Sequence, residues 1–279
     1  MVSVEMNNLN EVIKLNNHRL LNGDATNKED VDKLIGDCKV NLLLTDPPYG
    51  IDIVNTNKGG KSVEQNPQPS KVGTVGTPAK PGFKKNSKRE RVQTTYGKVG
   101  TPGIVNPRLY KPIVGDDKPF DPQHLLDLNV PSIIFGANNF ASKLPDNHKW
   151  LVWFKKSSLK FKRNNFSDVE LCWTNIPGKS CLMYHHTWSG MVRAGTRKEE
   201  LKERVHPTQK PVGLLVQMIE EFTKEWDTVL DLYGGSGSVL IACEKTNRKC
   251  LIMELSKDYC DIIEKRYWDY VGDGQTALM

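Results

Sequence analysis

The sequence predicts an α/β fold with a doubly wound, mostly parallel sheet. The apolar run at 40–44 stops abruptly at Asp46-Pro47-Pro48, as a buried parallel strand ending at prolines would. Residues 228–254 combine a strand, a glycine-rich turn, a helix and a second strand, which is one half of a doubly wound sheet. The chain has 279 residues, enough for one such domain and a sizeable insertion.

The elements before the insertion follow from local patterns. Residues 18–24 predict a short strand that ends in a turn. The segment 27–36 predicts a helix, because Val31, Leu34 and Ile35 are spaced to share one helical face.

A polar insertion is predicted at 55–112, where Gly, Pro, Lys, Ser, Thr and Asn replace large apolar side chains. The string KVGT occurs twice, at 71–74 and 98–101, which is too little for a repeat architecture. Residues 51–112 hold 12 Lys/Arg against 3 Asp/Glu, while the whole chain has a net charge of +6. Such a concentrated basic charge suits contact with a polyanion, and a solvated loop is the alternative.

Order is predicted to resume near Pro119, with Asp121 capping a short helix that runs through Leu128. Strands are predicted at 132–136, 149–154, 168–174, 228–232 and 249–254. Helices are predicted at about 212–224, 237–246 and 256–268. The predicted core therefore comprises 1–54, 113–175 and 204–279, and it is interrupted by the insertion 55–112 and a basic loop over 176–203.

Composition argues against several other classes of protein. None of the six cysteines forms a CxxC pair, so no metal site is expected. The chain opens without an apolar signal segment and contains no run of 18 apolar residues. The sequence alone therefore predicts a reduced, cytoplasmic protein without a membrane span.

The turn at 231–237 is the first candidate site. Glycines after a parallel strand let a ligand approach the backbone, and Glu254 ends the next strand, where a carboxylate can bind ribose hydroxyls. A dinucleotide fingerprint fails, because Leu240 occupies its third small position. A cofactor with a cationic sulfonium and an amino-acid tail fits better, with Asp231 pairing with the tail's ammonium. The alternative is a tight strand–helix turn without a ligand.

The second candidate site is Asp46-Pro47-Pro48-Tyr49. The prolines remove two N–H donors and leave carbonyls, so a carboxylate and a proline carbonyl can each accept a hydrogen bond from one NH₂ group. Held in this way, an amide-like base amine exposes its lone pair, and Tyr49 offers a ring face to a flipped base. A proline turn followed by a surface tyrosine is the alternative.

Together these segments resemble the DNA amino-methyltransferases that modify N6 of adenine or N4 of cytosine. The resemblance is carried by Asp46–Tyr49, His206–Pro211 and Asp231–Gly237, in the motif order of the beta group. Leu21–Asp24, Trp153-Phe154-Lys155 and the run 252–267 also match. Tyr233 stands where Phe is common and Ser238 where Thr is common. The resemblance implies the S-adenosylmethionine-dependent methyltransferase fold, with the insertion serving target recognition.

The resemblance also implies roles for single residues. Asp46 and the Pro47 carbonyl would accept hydrogen bonds from the target amine, Pro48 would stiffen the turn, and Tyr49 would stack on the base. The residues implied to surround S-adenosylmethionine are Asp24, Thr208, Lys210, Asp231, Tyr233, Gly235, Ser236, Gly237 and Glu254. Among them, Thr208 and Lys210 would lie near the methionine carboxylate, and no metal would be needed.

Double-stranded DNA is the expected substrate, with adenine favoured because Asp rather than Ser at position 46 resembles the adenine-specific members. The side chains expected to contact DNA are Lys84, Lys85, Lys88, Arg89, Arg91, Arg193 and Arg197. The same motifs also suit N4-cytosine or RNA methylation, or a catalytically silent DNA-binding regulator. A homodimer and a cognate restriction enzyme are left open as partners.

Overall fold

The computed structural model describes residues 11–50, 115–156, 167–178, 180–189, 192–193 and 209–276. The predicted insertion 55–112 lies outside these ranges, as does the stretch 194–208.

One large sheet organises the described residues. Its strands, in chain order, are β1 (Val12–Leu15), β2 (His18–Asn22), β3 (Leu42–Thr45), β4 (Ser132–Phe135), β5 (Trp150–Phe154), β6 (Val169–Thr174), β7 (Leu182–His185), β10 (Thr228–Asp231) and β11 (Lys249–Glu254). Their spatial order is β1-β2-β11-β10-β3-β4-β6-β5-β7, and β8 (Trp188–Ser189) pairs separately with β9 (Val192–Arg193).

The strand directions make the sheet mostly parallel. β2, β11, β10, β3 and β4 run parallel to one another, and β7 runs parallel to β5. β1 is antiparallel to β2, and β6 is antiparallel to both β4 and β5. The predicted fold class is therefore confirmed.

Helices cover both faces of the sheet. They are α1 (Lys28–Ile35), α2 (Gln123–Leu126), α3 (Val212–Phe222), α4 (Ser238–Lys245) and α5 (Lys257–Thr276). Side chains alternate across each strand, so Leu42 and Leu44 join the core under α3, α4 and α5, whereas Leu43 joins the core under α1 and α2. All three leucines are fully buried, which explains why β3 is apolar on both faces.

Three predicted elements need correction. The helix expected from Asp121 to Leu128 spans only Gln123–Leu126, and Asp121 accepts one hydrogen bond from the backbone N–H of Gln123 without being the cap residue. The loop expected over 176–203 contains Leu182–His185, which forms an edge strand of the main sheet. The last helix continues past 268 to Thr276.

The sheet places a crevice at the carboxyl ends of β3 and β10. These two parallel strands are neighbours, and the chain leaves them towards opposite halves of the sheet, since β3 leads to β4 and β10 leads to β11. Doubly wound sheets bind ligands at such a reversal point.

Candidate active site

Each of the two central strands carries an aspartate at its carboxyl end. Asp46 follows β3 directly, and Asp231 is the last residue of β10. Thr45 joins them, because its hydroxyl donates a 2.8 Å hydrogen bond to Oδ1 of Asp231. The fold thus brings together the two motifs that the sequence places 185 positions apart.

The Asp46 carboxylate is held by two donors from this chain. Lys210 Nζ lies 2.5 Å from Asp46 Oδ2, and the Tyr49 hydroxyl donates to Asp46 Oδ1. Lys210 Nζ also lies 3.2 Å from the Tyr49 hydroxyl oxygen. Lys210, implied by the resemblance to lie near the cofactor's carboxylate, here forms an ion pair with the predicted catalytic aspartate.

A second carboxylate, that of Glu170 on β6, completes this cluster. Glu170 Oε1 lies 3.0 Å from Lys210 Nζ and 3.0 Å from the Tyr49 hydroxyl oxygen, so it is an alternative acceptor for that hydroxyl. Lys155, just after β5, reaches Glu170 Oε2 at 2.6 Å. Two carboxylates, two ammonium groups and one phenol therefore form a closed network at the mouth of the crevice.

Burial and the neighbouring charges shift the pKa values of the residues in this network in opposite directions. Burial raises the pKa of Asp46, although Lys210 opposes this shift. Burial acts in the same sense on Glu170, but the ammonium groups of Lys210 and Lys155 outweigh it and lower the pKa of Glu170 to about 2. Burial would lower the pKa of Lys210, yet Asp46 and Glu170 raise it, so Lys210 stays charged.

The backbone around Tyr49 fixes the ring's position. Asp116 Oδ1 accepts hydrogen bonds from the N–H groups of Tyr49 (3.2 Å) and Gly50 (3.0 Å). The ring then packs on Gly136, whose φ is +64°, and a Cβ added there would lie 2.0 Å from Tyr49 Cε1. Only glycine leaves room for the ring in this place.

The second turn surrounds a buried carboxylate that has no cation beside it. Asp231 is 2% exposed, and its Oδ1 accepts hydrogen bonds from Thr45 and from the N–H of Tyr233 (3.1 Å). Burial raises its pKa to about 7. Among the residues that the structure describes, no Lys, Arg or His pairs with it. A ligand with an ammonium group would offset this desolvated charge.

The glycines of this turn form a close-packed cradle. The N–H of Gly235 donates a 2.8 Å hydrogen bond to Glu254 Oε2, and the N–H of Ser256 donates to Oε1 at 2.9 Å. Gly237, with φ +76°, precedes α4 and packs against Ile263. These contacts place Glu254 at the rim of the turn, where ribose hydroxyls were expected.

The remaining predicted cofactor residues lie around the same turn. The Tyr233 hydroxyl is hydrogen bonded to His124 Nε2 at 2.8 Å, and Phe120 packs edge-on against the Tyr233 ring. Burial raises the pKa of Tyr233, and the negative charge of the exposed Asp24 raises it further. Ser236 is buried, and its carbonyl accepts a 2.8 Å hydrogen bond from Arg266.

Some predicted residues lie outside the described ranges, and some site residues were missed. Outside are Thr208, Lys84, Lys85, Lys88, Arg89, Arg91 and Arg197, and Arg193 is described only as part of β9. Sequence reasoning missed Glu170 and His124, and it left Lys155 without a role. The one signal for Glu170 was a carboxylate within the apolar run of β6. No helix in the described part of the chain is long and apolar enough to cross a membrane.

Comparisons with known proteins found one matching family and several similar curated proteins. Residues 116–265 match the sequence profile of the N6/N4 family, described as DNA methylase. The chain is 37% identical over 153 residues to the type II methyltransferase M2.DpnII of Streptococcus pneumoniae, a match covering 50% of this chain and 56% of that protein. It is 31% identical over 116 residues to M2.LlaDCHI of Lactococcus lactis subsp. cremoris, covering 42% and 40%. The chain thus spans about half the length of these curated relatives.

Two solved structures also align with this chain. The M1.HpyAVI–SAM complex aligns with a TM-score of 0.43 and 19% identity, covering 88% of this chain and 98% of that one. The cytosine-N4-specific PvuII DNA methyltransferase aligns with a TM-score of 0.45 and 14% identity, covering 90% of each chain.

Proposed function

The chain belongs to the N6/N4 family of DNA methylases, and from this premise we propose that it transfers a methyl group from S-adenosylmethionine to the exocyclic amine of adenine in double-stranded DNA. The observation that carries this proposal is the pair of aspartates, half-buried Asp46 and buried Asp231, at the carboxyl ends of neighbouring parallel strands and bridged by Thr45. Asp46 is paired with Lys210 and is suited to accept a hydrogen bond from the target amine. Asp231 is suited to bind the ammonium group of the cofactor.

The residues present fit S-adenosylmethionine. Asp231 provides the buried negative charge that the amino-acid tail's ammonium would neutralise. Glu254, whose pKa is raised by burial, would accept hydrogen bonds from the ribose hydroxyls. The turn's glycines would let the methionine part approach the backbone. When bound, the cofactor supplies an electrophilic methyl group on a cationic sulfur.

Asp46 and the Pro47 carbonyl would prepare the nucleophile. Each would accept one hydrogen from the target NH₂ group, which frees the nitrogen's lone pair from the base ring. That lone pair would then be free to accept the methyl group that the bound cofactor supplies, with the electron pair of the carbon–sulfur bond left on sulfur. Positive charge moves to the amine, where the carboxylate of Asp46 stabilises it until one proton leaves.

Adenine is proposed as the base because of the aspartate at position 46, as the sequence already indicated. The basic stretches 55–112 and 176–203 are proposed to contact the DNA, since Lys and Arg neutralise phosphates. The extruded base would meet the Tyr49 ring, which Gly136 holds beside Asp46. Homodimer formation and a companion restriction enzyme stay as proposals that no contact in the described residues addresses.

A product assay tests the proposal. The purified chain is incubated with methyl-labelled S-adenosylmethionine and unmethylated genomic DNA, and the digested nucleosides are identified by mass spectrometry. Label on N6 of adenine is the expected result. Label on N4 of cytosine would keep the mechanism and overturn the base. Cofactor and DNA binding without transfer would favour a silent regulator, and transfer to RNA alone would change the substrate.

A further inference from the structure

Glu170 occupies a position that the methyl-transfer chemistry described above leaves unused. It lies on β6, opposite Trp153 of β5, and outside the Asp46–Tyr49 and Asp231–Gly237 segments. Its side chain is only 11% exposed, and both its oxygens are engaged. A largely buried carboxylate in a strand is costly unless cations or donors offset it, so the contacts of Glu170 indicate a function.

Those contacts are the same groups that hold Asp46. Lys210 Nζ lies between the two carboxylates, 2.5 Å from Asp46 and 3.0 Å from Glu170. The Tyr49 hydroxyl likewise reaches both carboxylates. Each donor on Asp46 therefore has a second acceptor already within hydrogen-bond distance.

The sharing of Lys210 between two carboxylates changes how much negative charge Asp46 presents to the target amine. Lys210 alone would cancel the negative charge of Asp46, and the amine that becomes positive during transfer would then meet a neutral pair. Glu170 shares the Lys210 ammonium, so Asp46 keeps more of its negative potential for that amine. Lys155 in turn offsets Glu170, which keeps the whole network near neutrality.

We propose that Glu170 is a positioning residue for methyl transfer: it takes over Lys210 and the Tyr49 hydroxyl when the target amine binds Asp46. The exchange leaves no buried donor unpaired, because both groups move between two acceptors that are already in place. This inference rests on the proposed function, since it concerns the same carboxylate and the same amine.

Three variants at two positions test it on the full-length chain. Glu170→Gln keeps the shape and removes the charge, and Glu170→Asp restores the charge. Asp168→Asn removes a carboxylate two residues away that pairs with Lys156 and not with Asp46. With unmethylated genomic DNA, we expect Glu170→Gln to lower kcat by about tenfold or more while KM for the cofactor stays within about threefold. Glu170→Asp should recover part of kcat, and Asp168→Asn should match the wild type.

A double-mutant cycle with Lys210→Met distinguishes positioning from a merely structural role. If Glu170 acts through Lys210, Glu170→Gln should cost less than about threefold once Lys210 is already Met. Independent, multiplying losses would overturn the inference. So would wild-type kcat in Glu170→Gln, or a fall in melting temperature that accounts for the loss. A wild-type chain that transfers no methyl would overturn the proposed function and this inference together, whereas an active wild type whose kcat is matched by Glu170→Gln overturns the inference alone.

Discussion

The turns that follow β3 and β10 each contain an aspartate, but only one of the two aspartates is paired with a cation among the described residues. Asp46 directly follows β3 and is half-buried, and Asp231 ends β10 and is buried. Asp46 has an ammonium partner from its own chain, whereas Asp231 is held by a threonine hydroxyl and one backbone N–H. A carboxylate with a built-in cation is ready to accept hydrogen bonds, while one without a cation favours a cationic ligand.

This difference predicts separate functions for Asp46 and Asp231. Charge at Asp46 is balanced by Lys210, which Glu170 shares, and Lys155 balances Glu170 in turn, so this turn is suited to a neutral amine. Charge at Asp231 is unbalanced within the described residues until a ligand arrives. Changing one aspartate should therefore impair chemistry, and changing the other should impair binding.

The largest effect is expected for Asp46→Ala. Removing the carboxylate takes away the acceptor for the target amine, so kcat should fall by about a thousandfold or more. Cofactor affinity, measured by calorimetry, should stay within about threefold, because Asp231 is untouched. Asp37→Ala, at an exposed carboxylate, is the control. Full activity in Asp46→Ala would remove this residue from the mechanism.

The next effect is expected for Asp231→Asn, which keeps an oxygen acceptor for Thr45 and Tyr233. The variant loses the charge that pairs with an ammonium group, so the cofactor's Kd should rise by roughly 10- to 100-fold at pH 8. In the wild type, Asp231 is protonated below its pKa of about 7, and affinity should weaken as the pH falls from 7 to 6. The Asn variant should lack this dependence. A wild-type Kd that is constant from pH 6 to 8 contradicts the assignment.

The same variant should show the opposite effect on stability. The folded-state pKa of Asp231 lies above its unfolded value, so the folded state binds more protons and its stability declines as the pH rises from about 4 to 7. Without cofactor at pH 8, Asp231→Asn should be more stable than the wild type by on the order of 2 kcal/mol, measured by denaturant unfolding. The gap should shrink as the pH is lowered towards 4. A less stable variant at pH 8 would show that the charge is satisfied in the free protein.

A smaller effect is expected at Gly136, which leaves room for the Tyr49 ring. Alanine there would overlap the ring and would also adopt a strained positive φ. We expect kcat to fall by about tenfold as the tyrosine moves away from Asp46, with a stability loss of about 1 kcal/mol. Gly272→Ala, where an added Cβ meets open space, is the matched control. Unchanged kcat in Gly136→Ala would show that the ring's position has no bearing on transfer.

The sequence predicted those parts of the site that lie next to each other along the chain. Asp46 and Asp231 were found because each ends an apolar strand and begins a proline or glycine turn. Their convergence followed from parallel strands, whose carboxyl ends lie on one edge of the sheet. The central strands could also be predicted, since burial on both faces makes their sequences continuously apolar.

The missed features depend on contacts between distant segments. Glu170 meets Tyr49 across 121 positions and Lys210 across 40, so no local pattern joins them. The pairing of Lys210 with Asp46 was missed for the same reason, because the two residues are 164 positions apart along the chain. β7 was missed because only Tyr184 of its four residues is buried, as is common in a short edge strand.

The smallest effect is expected for Tyr233→Phe, which tests whether the glycine turn depends on anything besides its charge. The hydroxyl's described partner is His124, whose own pKa is lowered by burial, so the pair is a neutral hydrogen bond. Phenylalanine keeps the ring against Phe120 and removes a bond worth about 1 kcal/mol. The cofactor's Kd should therefore change by less than about threefold, far less than for Asp231→Asn. A tenfold loss would instead assign the hydroxyl to the ligand and give this turn a second polar contact with the cofactor.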